Sequence, residues 1–242
     1  MMIAVYTRYE LRRTFRNVRF FFFSLVFPLI LYVLVAGPKQ HDTIEGIGFP
    51  LYYLAGMVGW GSMAAVLAGG ARIAAERTVG WTRQLRITPL RARTYVATKV
   101  LAGYAMASLS IVVLSVAGVV FGVRLAVTEW VSMLVLILIG LAPFAAIGVL
   151  LGHLLTVDSL GPAMGGVTSL FALLGGSWGP IAATGWLRRV AELLPSFWLV
   201  QAGKVGLGRA AWPPRAWIVV VVWTLVTARL ALRAYRRDTN RA

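Results

Sequence analysis

Long stretches without a charged side chain recur along this chain, and they constrain it more than any motif does. A bilayer core of about 30 Å is crossed by roughly 20 apolar residues of helix. Runs of that order lie at Phe20–Pro38, Gly46–Ala71, Val100–Val123, Trp130–Gly152 and Ser159–Leu187. A sixth, Ala216–Ala228, is shorter and extends to about Tyr235 if Arg229 and Arg233 reach toward headgroups. Only 13% of the 242 residues are charged, about half the share of a soluble domain. The expected fold is therefore an all-α integral membrane protein with six spans in one domain covering 1–242. The first span is too long for a cleaved signal peptide, and "LVAG" is a poor cleavage site.

Orientation follows from the basic residues. The net charge is +16, from 24 Lys and Arg against 8 acids. Seventeen of the cations fall on one set of alternating loops and tails and seven on the other. The positive-inside bias then places both termini in the cytoplasm. Because these cations cluster at the ends of apolar runs, they fit lipid headgroups and topology, and nucleic acid is not an expected partner. With no cysteine, disulfides, thiolate catalysis and Cys-ligated metals are excluded.

Three segments fall outside the spans. Residues 3–19 carry Arg8, Arg12 and Arg16 at helical spacing, and Leu11, Phe15 and Val18, continued by Phe22, recur on another face. That pattern predicts an interfacial helix lying in the headgroup plane. Residues 76–89, "ERTVGWTRQLRITP", are basic yet contain Trp81, Leu85 and Ile87, with Gly80 in the middle and Thr88-Pro89 as a helix-start signal. A tethered helix with an apolar tip on the cytoplasmic side suits docking onto a partner, since a plain connector needs only a few turn residues. About 175–212 holds a Gly/Pro break, an amphipathic stretch from Trp186 to Leu194, then Pro195 and a second apolar stretch. Short helices dipping back from the outer face fit it, because broken backbone at membrane depth must be covered. Arg188 and Glu192, four apart, form a helix pair.

The absences are informative. No GxxxxGK[ST] is present, so the chain has no phosphate-binding loop of its own. His41 and His153 lack neighbours at metal-ligand spacing, and no metal or catalytic group is expected. The longer uncharged runs hold no carboxylate, which argues against an ion-driven transporter. A membrane enzyme acting on lipids would need His, Asp or Glu clustered at one interface, and none is evident. Small residues in the second and fifth spans, among them Gly56, Gly59, Gly69, Gly161 and Gly165, allow close helix packing within one chain or across a dimer.

Taken in order, these residues resemble the ABC-2 type permeases, the membrane subunits of bacterial ATP-driven exporters such as the daunorubicin-resistance and linearmycin-type systems. The likeness covers nearly the whole chain. The E…G…L…(S/T)P pattern between spans two and three reads Glu76, Gly80, Leu85, Thr88, Pro89, with Lys99 opening span three. Asp158 matches the family aspartate between spans four and five, and Gly176, Pro180, Trp186, Leu187, Ala191, Leu194 and Pro195 match the run after span five. Arg83-Gln84 stands where the family usually has an acid.

The resemblance implies a half-transporter in the bacterial cell membrane, binding no cofactor itself. Two permease chains would pair with two nucleotide-binding subunits that hold ATP and Mg²⁺. Glu76, Gly80, Trp81, Gln84, Leu85, Arg86 and Pro89 would form the ATPase-coupling helix, with Arg8, Arg12, Phe15 and Arg16 on the interfacial helix. The pathway or dimer packing would involve Gly56, Gly59, Gly69, Gly161, Gly165 and Phe171. Trp178, Pro180, Trp186 and Pro195 would line an outer gate. The substrate class implied is a hydrophobic or amphipathic drug, antibiotic or lipid. A membrane sensor or scaffold associated with an ATPase or signalling kinase is the alternative.

Overall fold

A computed structural model describes residues 2–44, 46–80, 92–181, 184–204 and 212–241. Helix α1 (Met2–Phe15) leads through α2 (Val18–Phe21) and a π-helical turn (Phe22–Val26) into α3 (Phe27–Ala36). A two-stranded antiparallel hairpin, β1 (Thr43–Ile44) and β2 (Ile47–Gly48), pairs Thr43 with Gly48. Then follow α4 (Phe49–Thr78), α5 (Ala92–Val120), α6 (Val127–Gly140), α7 (Ala142–Leu154) and α8 (Val157–Gly175). Two short helices, α9 (Trp186–Ala191) and α10 (Pro195–Ala202), precede the last one, α11 (Pro214–Arg241). The protein is an all-α membrane protein. Among the described residues, five helical segments are long and apolar enough to cross a bilayer: α4, α5, the α6–α7 pair, α8 and α11, with Phe22–Ala36 a shorter apolar helix.

Prolines explain the interruptions. Pro28 has no N–H to give the carbonyl of Ser24, four residues earlier. Ser110 of α5 donates its hydroxyl to that oxygen at 2.9 Å, so the π turn is tied to a neighbour and not left open. Pro143 stands in the first turn of α7 and marks the bend at Leu141 where α6 gives way to α7. The expected fourth span is one crossing, Val127–Leu154, with this break inside it. The fifth span is shorter than expected, ending at Gly175 and not Leu187. Gly176 adopts φ +78, a left-handed conformation costly for any residue with a Cβ, and turns the chain out of the helix.

Helix α4 is the hub. It packs against α3, α5, α7, α8 and α10, and almost all of its apolar length is enclosed. Its crossing with α7 is the tightest contact in the bundle. A Cβ on Gly70 would stand 1.8 Å from the Gly148 carbonyl oxygen, and one on Gly152 would stand 2.4 Å from that of Gly70. Only hydrogen fits there. At the rim, α8 shows the opposite character, with most of its apolar length uncovered within the chain.

One end of this bundle is basic. There α1 packs on the start of α5 beside the end of α4, and His153, closing α7, meets the Tyr235 ring of α11 at 5.3 Å. Arg77 at the end of α4 donates to the Gly152 carbonyl at 3.0 Å, joining the same end of α7. The first and last helices therefore finish at the same end.

Candidate functional site

At that basic end, two carboxylates and three cations converge from three helices. Glu10 comes from α1, where Glu10 and Thr14, one turn apart, both face inward and are buried. Arg72 and Glu76 come from the last turns of α4, and Tyr95 and Lys99 from the first turns of α5. Lys99 is fully buried, and its Nζ lies 2.8 Å from Glu10 Oε1 and 2.6 Å from Glu76 Oε1. Arg72 reaches Glu10 at 3.1 Å and also the Thr14 hydroxyl. Arg13 donates to Glu76 Oε1 at 2.7 Å, and the Tyr95 hydroxyl to Glu76 Oε2 at 2.6 Å. The Lys99 ammonium also stands 5.2 Å from the Tyr95 ring centre.

The energetics favour geometry over net stability. Removing an ion from water costs several kcal/mol even after relaxation. Unit charges 4 Å apart recover about 4 kcal/mol each at an effective dielectric near 20. The whole cluster is near break-even, but loss of one member leaves a buried charge uncompensated. It therefore fixes the relative placement of α1, α4 and α5 at one point and resists any slippage between them.

The segment expected to be a separate coupling helix begins differently. Glu76, Arg77 and Thr78 are the last turn of α4, which runs past the expected span limit of Ala71. Gly80, at φ +69, is the turn that ends this helix, its N–H donating to the Arg77 carbonyl at 3.1 Å. Glu76 is thus buried in the ion cluster and is not presented for docking. Trp81, Gln84, Leu85, Arg86 and Pro89 lie outside the described residues.

On α1, Arg8, Arg12 and Phe15 are exposed, with Val5 and Tyr9, and so is Arg16 just past its end. The helix is amphipathic in an unexpected sense: the face turned to the protein carries Glu10 and Thr14, and apolar side chains share the outer face with arginines. It ends at Phe15, short of the expected residue 19, and Asn17 separates it from α2.

The glycines divide into two groups. Gly56 is pressed on the Ser177 backbone, Gly59 on Val200 and Gly69 on the Lys99 carbonyl, so these three serve contacts inside one chain. Helix α4 is enclosed and does not offer them to a second copy. Gly161 and Gly165 on α8 have nothing within 4 Å of an added Cβ. Phe171 faces inward, edge-on to Phe144 and Trp223 at 5.2 and 6.0 Å.

At the opposite end, Trp178 stands edge-on to Trp60 at 5.7 Å. Pro180 and Trp186 are exposed, whereas Pro195 is buried at the start of α10. Glu192 accepts from Arg188 at 2.8 Å, the expected i,i+4 pair, and also from Arg215 of α11 at 2.6 Å. The Trp198 indole donates to the Glu192 carbonyl and that of Trp223 to the Leu193 carbonyl. The two short helices are thereby bolted to α11. Asp158 occupies the first turn of α8, where the helix dipole favours an anion.

Sequence reasoning did not group Glu10, Arg13, Arg72 and Tyr95 with Glu76 and Lys99. One signal was available: Glu10 is the only acid among five arginines in residues 3–19. Nor did it select Gly70, Gly148 and Gly152, although the last two have small-xxx-small spacing.

Comparison with known proteins agrees with this architecture. Residues 49–233 match the family model described as ABC-2 family transporter protein. The chain is also similar to the Bacillus subtilis (strain 168) protein named "Putative transport permease YvfS", at 26% identity over 231 residues and 94% of each chain.

Proposed function

This chain belongs to the ABC-2 transporter family, and from that premise we propose that it is the permease half of an ATP-driven exporter for a hydrophobic or amphipathic substrate. It is a membrane transport subunit and not itself an enzyme. ATP and Mg²⁺ are held by separate nucleotide-binding subunits, which sit at the basic end, on the cytoplasmic side. Six crossings, counting the α2–α3 segment, return both termini to that side.

The observation that carries this reading is the buried cluster of Glu10, Arg72, Glu76 and Lys99. It clamps α1, α4 and α5 together through residues of the helices that precede and follow 81–91 in the chain, the segment between the second and third crossings. A push on that segment is delivered to a rigid three-helix unit, and α4, the hub, carries it to α7, α8 and α10. Pairing of two permease chains uses the uncovered face of α8 around Gly161 and Gly165. Close approach of small residues drives helix association where lipid offers no hydrophobic gain.

Inverted membrane vesicles from cells producing the chain with its ATPase test the proposal. ATP is expected to drive inward accumulation of a hydrophobic fluorescent substrate several-fold above vesicles lacking the chain. Gly80→Pro is expected to abolish that flux while leaving the membrane level of the chain unchanged. Equal flux with and without the chain across a panel of hydrophobic substrates would instead favour the sensor or scaffold reading.

A further inference from the structure

On the lipid-facing flank of the basic half of the bundle, α5, α7 and α11 enclose a groove of about 810 Å³. That volume lies within the range of about 300–1,000 Å³ usual for small-ligand sites. Its walls are lined by small or apolar side chains such as Ala97, Ala145, Ala146, Ala228 and Tyr104, and Arg236 stands at one end. Helices α5 and α11 are largely uncovered along their apolar lengths, so the groove opens where lipid is the solvent.

Its dimensions fit one leaflet. Lining residues on α11 run from Thr224 to Arg236, about 18 Å at 1.5 Å per residue. One leaflet of hydrocarbon is about 15 Å deep. From Pro214 to Arg236 the helix rises about 33 Å, so with Pro214 at one interface Arg236 lies at headgroup level of the other. The charge near that level is positive: Arg233, Arg236 and Arg237 are all exposed on α11.

We propose that this groove holds the acyl chains of a resident anionic phospholipid drawn from the surrounding leaflet, with its phosphate against Arg236. Small side chains leave the volume for the chains, and the arginine gives the anion a partner. Basic residues near an anionic lipid surface attract it electrostatically. A phospholipid matches both the apolar walls and the positive charge at the headgroup level, whereas an apolar helix matches only the walls. The inference does not depend on the transport reading.

The test uses the full chain, delipidated in detergent and titrated with palmitoyl-oleoyl phosphatidylglycerol or phosphatidylcholine, with bound lipid counted by native mass spectrometry. The wild type is expected to retain phosphatidylglycerol at least ten-fold more strongly than phosphatidylcholine. Arg236→Gln should lower phosphatidylglycerol retention about ten-fold and leave phosphatidylcholine unchanged. Ala146→Phe should fill the groove and abolish tight retention of either lipid, and Ala228→Leu on the opposite wall replaces it if it fails to fold. Equal retention in wild type and the filling variants, or no selectivity for the anionic lipid, would overturn the proposal. So would conversion of a dimer to a monomer by the filling variants, since the occupant would then be a second copy.

Discussion

Lys99 shows how a single residue can organise three helices. Its ammonium touches Glu10 and Glu76, 89 and 23 positions away in the chain. Glu76→Gln removes a charge that Lys99 and Arg13 share, and the expected loss is about 3–5 kcal/mol, as for breaking other buried pairs. Adding Lys99→Met to Glu76→Gln removes the opposing buried charge. The double variant should therefore be more stable than the sum of the single losses by about 1–3 kcal/mol. Thermal unfolding of the four purified proteins in detergent measures this, and strictly additive losses would show that the two groups are not coupled. Glu76 was legible in the sequence as a motif residue, but its role was not. A motif records spacing along the chain, whereas Glu10, Arg72 and Lys99 meet it only through packing, and the positive charge of Arg72 and Lys99 made them look like ordinary positive-inside flanks.

Helix α4 and helix α8 are both glycine-rich, and the fold uses them in opposite ways. At the α4–α7 crossing a Cβ on Gly148 would stand 2.7 Å from the Leu67 carbonyl oxygen, so a side chain must drive two backbones apart. Gly148→Leu is expected to destabilise the chain by at least about 3 kcal/mol, the upper part of the usual overpacking range. A Cβ on Gly161 of α8 meets no atom within 4 Å, so Gly161→Leu should leave the melting temperature of the monomer unchanged. Light scattering of Gly161→Leu in detergent should then show a reduced dimer fraction if α8 pairs two chains. Hydropathy alone made most of the helices legible, because charge-free length is a property of the segment itself. The same pattern could not say which glycines face inward, nor that Gly176 ends α8 where the apolar run continues to Leu187. Those outcomes depend on neighbours and on one backbone conformation.

For the whole molecule, the arrangement describes a lever. The ion cluster joins α1, α4 and α5, Arg77 ties that unit to α7, and α4 reaches the far end through Ser177 and α10. Under the proposed coupling, force entering beside Gly80 is delivered toward Trp60 and Trp178, whose rings meet edge-on. The all-α membrane architecture was legible from apolar length, and the segment between the second and third crossings stood out by its composition. The rigid unit behind that segment was not, because it is assembled from charges that sequence assigns to separate loops. Everything rests on an ATPase engaging residues next to this unit. The direct measurement is ATP hydrolysis co-eluting with the tagged chain from native membranes, with residues 81–87 either intact or replaced by Gly and Ser. Hydrolysis that elutes with the intact chain and is lost with the replacement is the predicted result. Equal hydrolysis in both eluates, or none with the intact chain, would contradict the account.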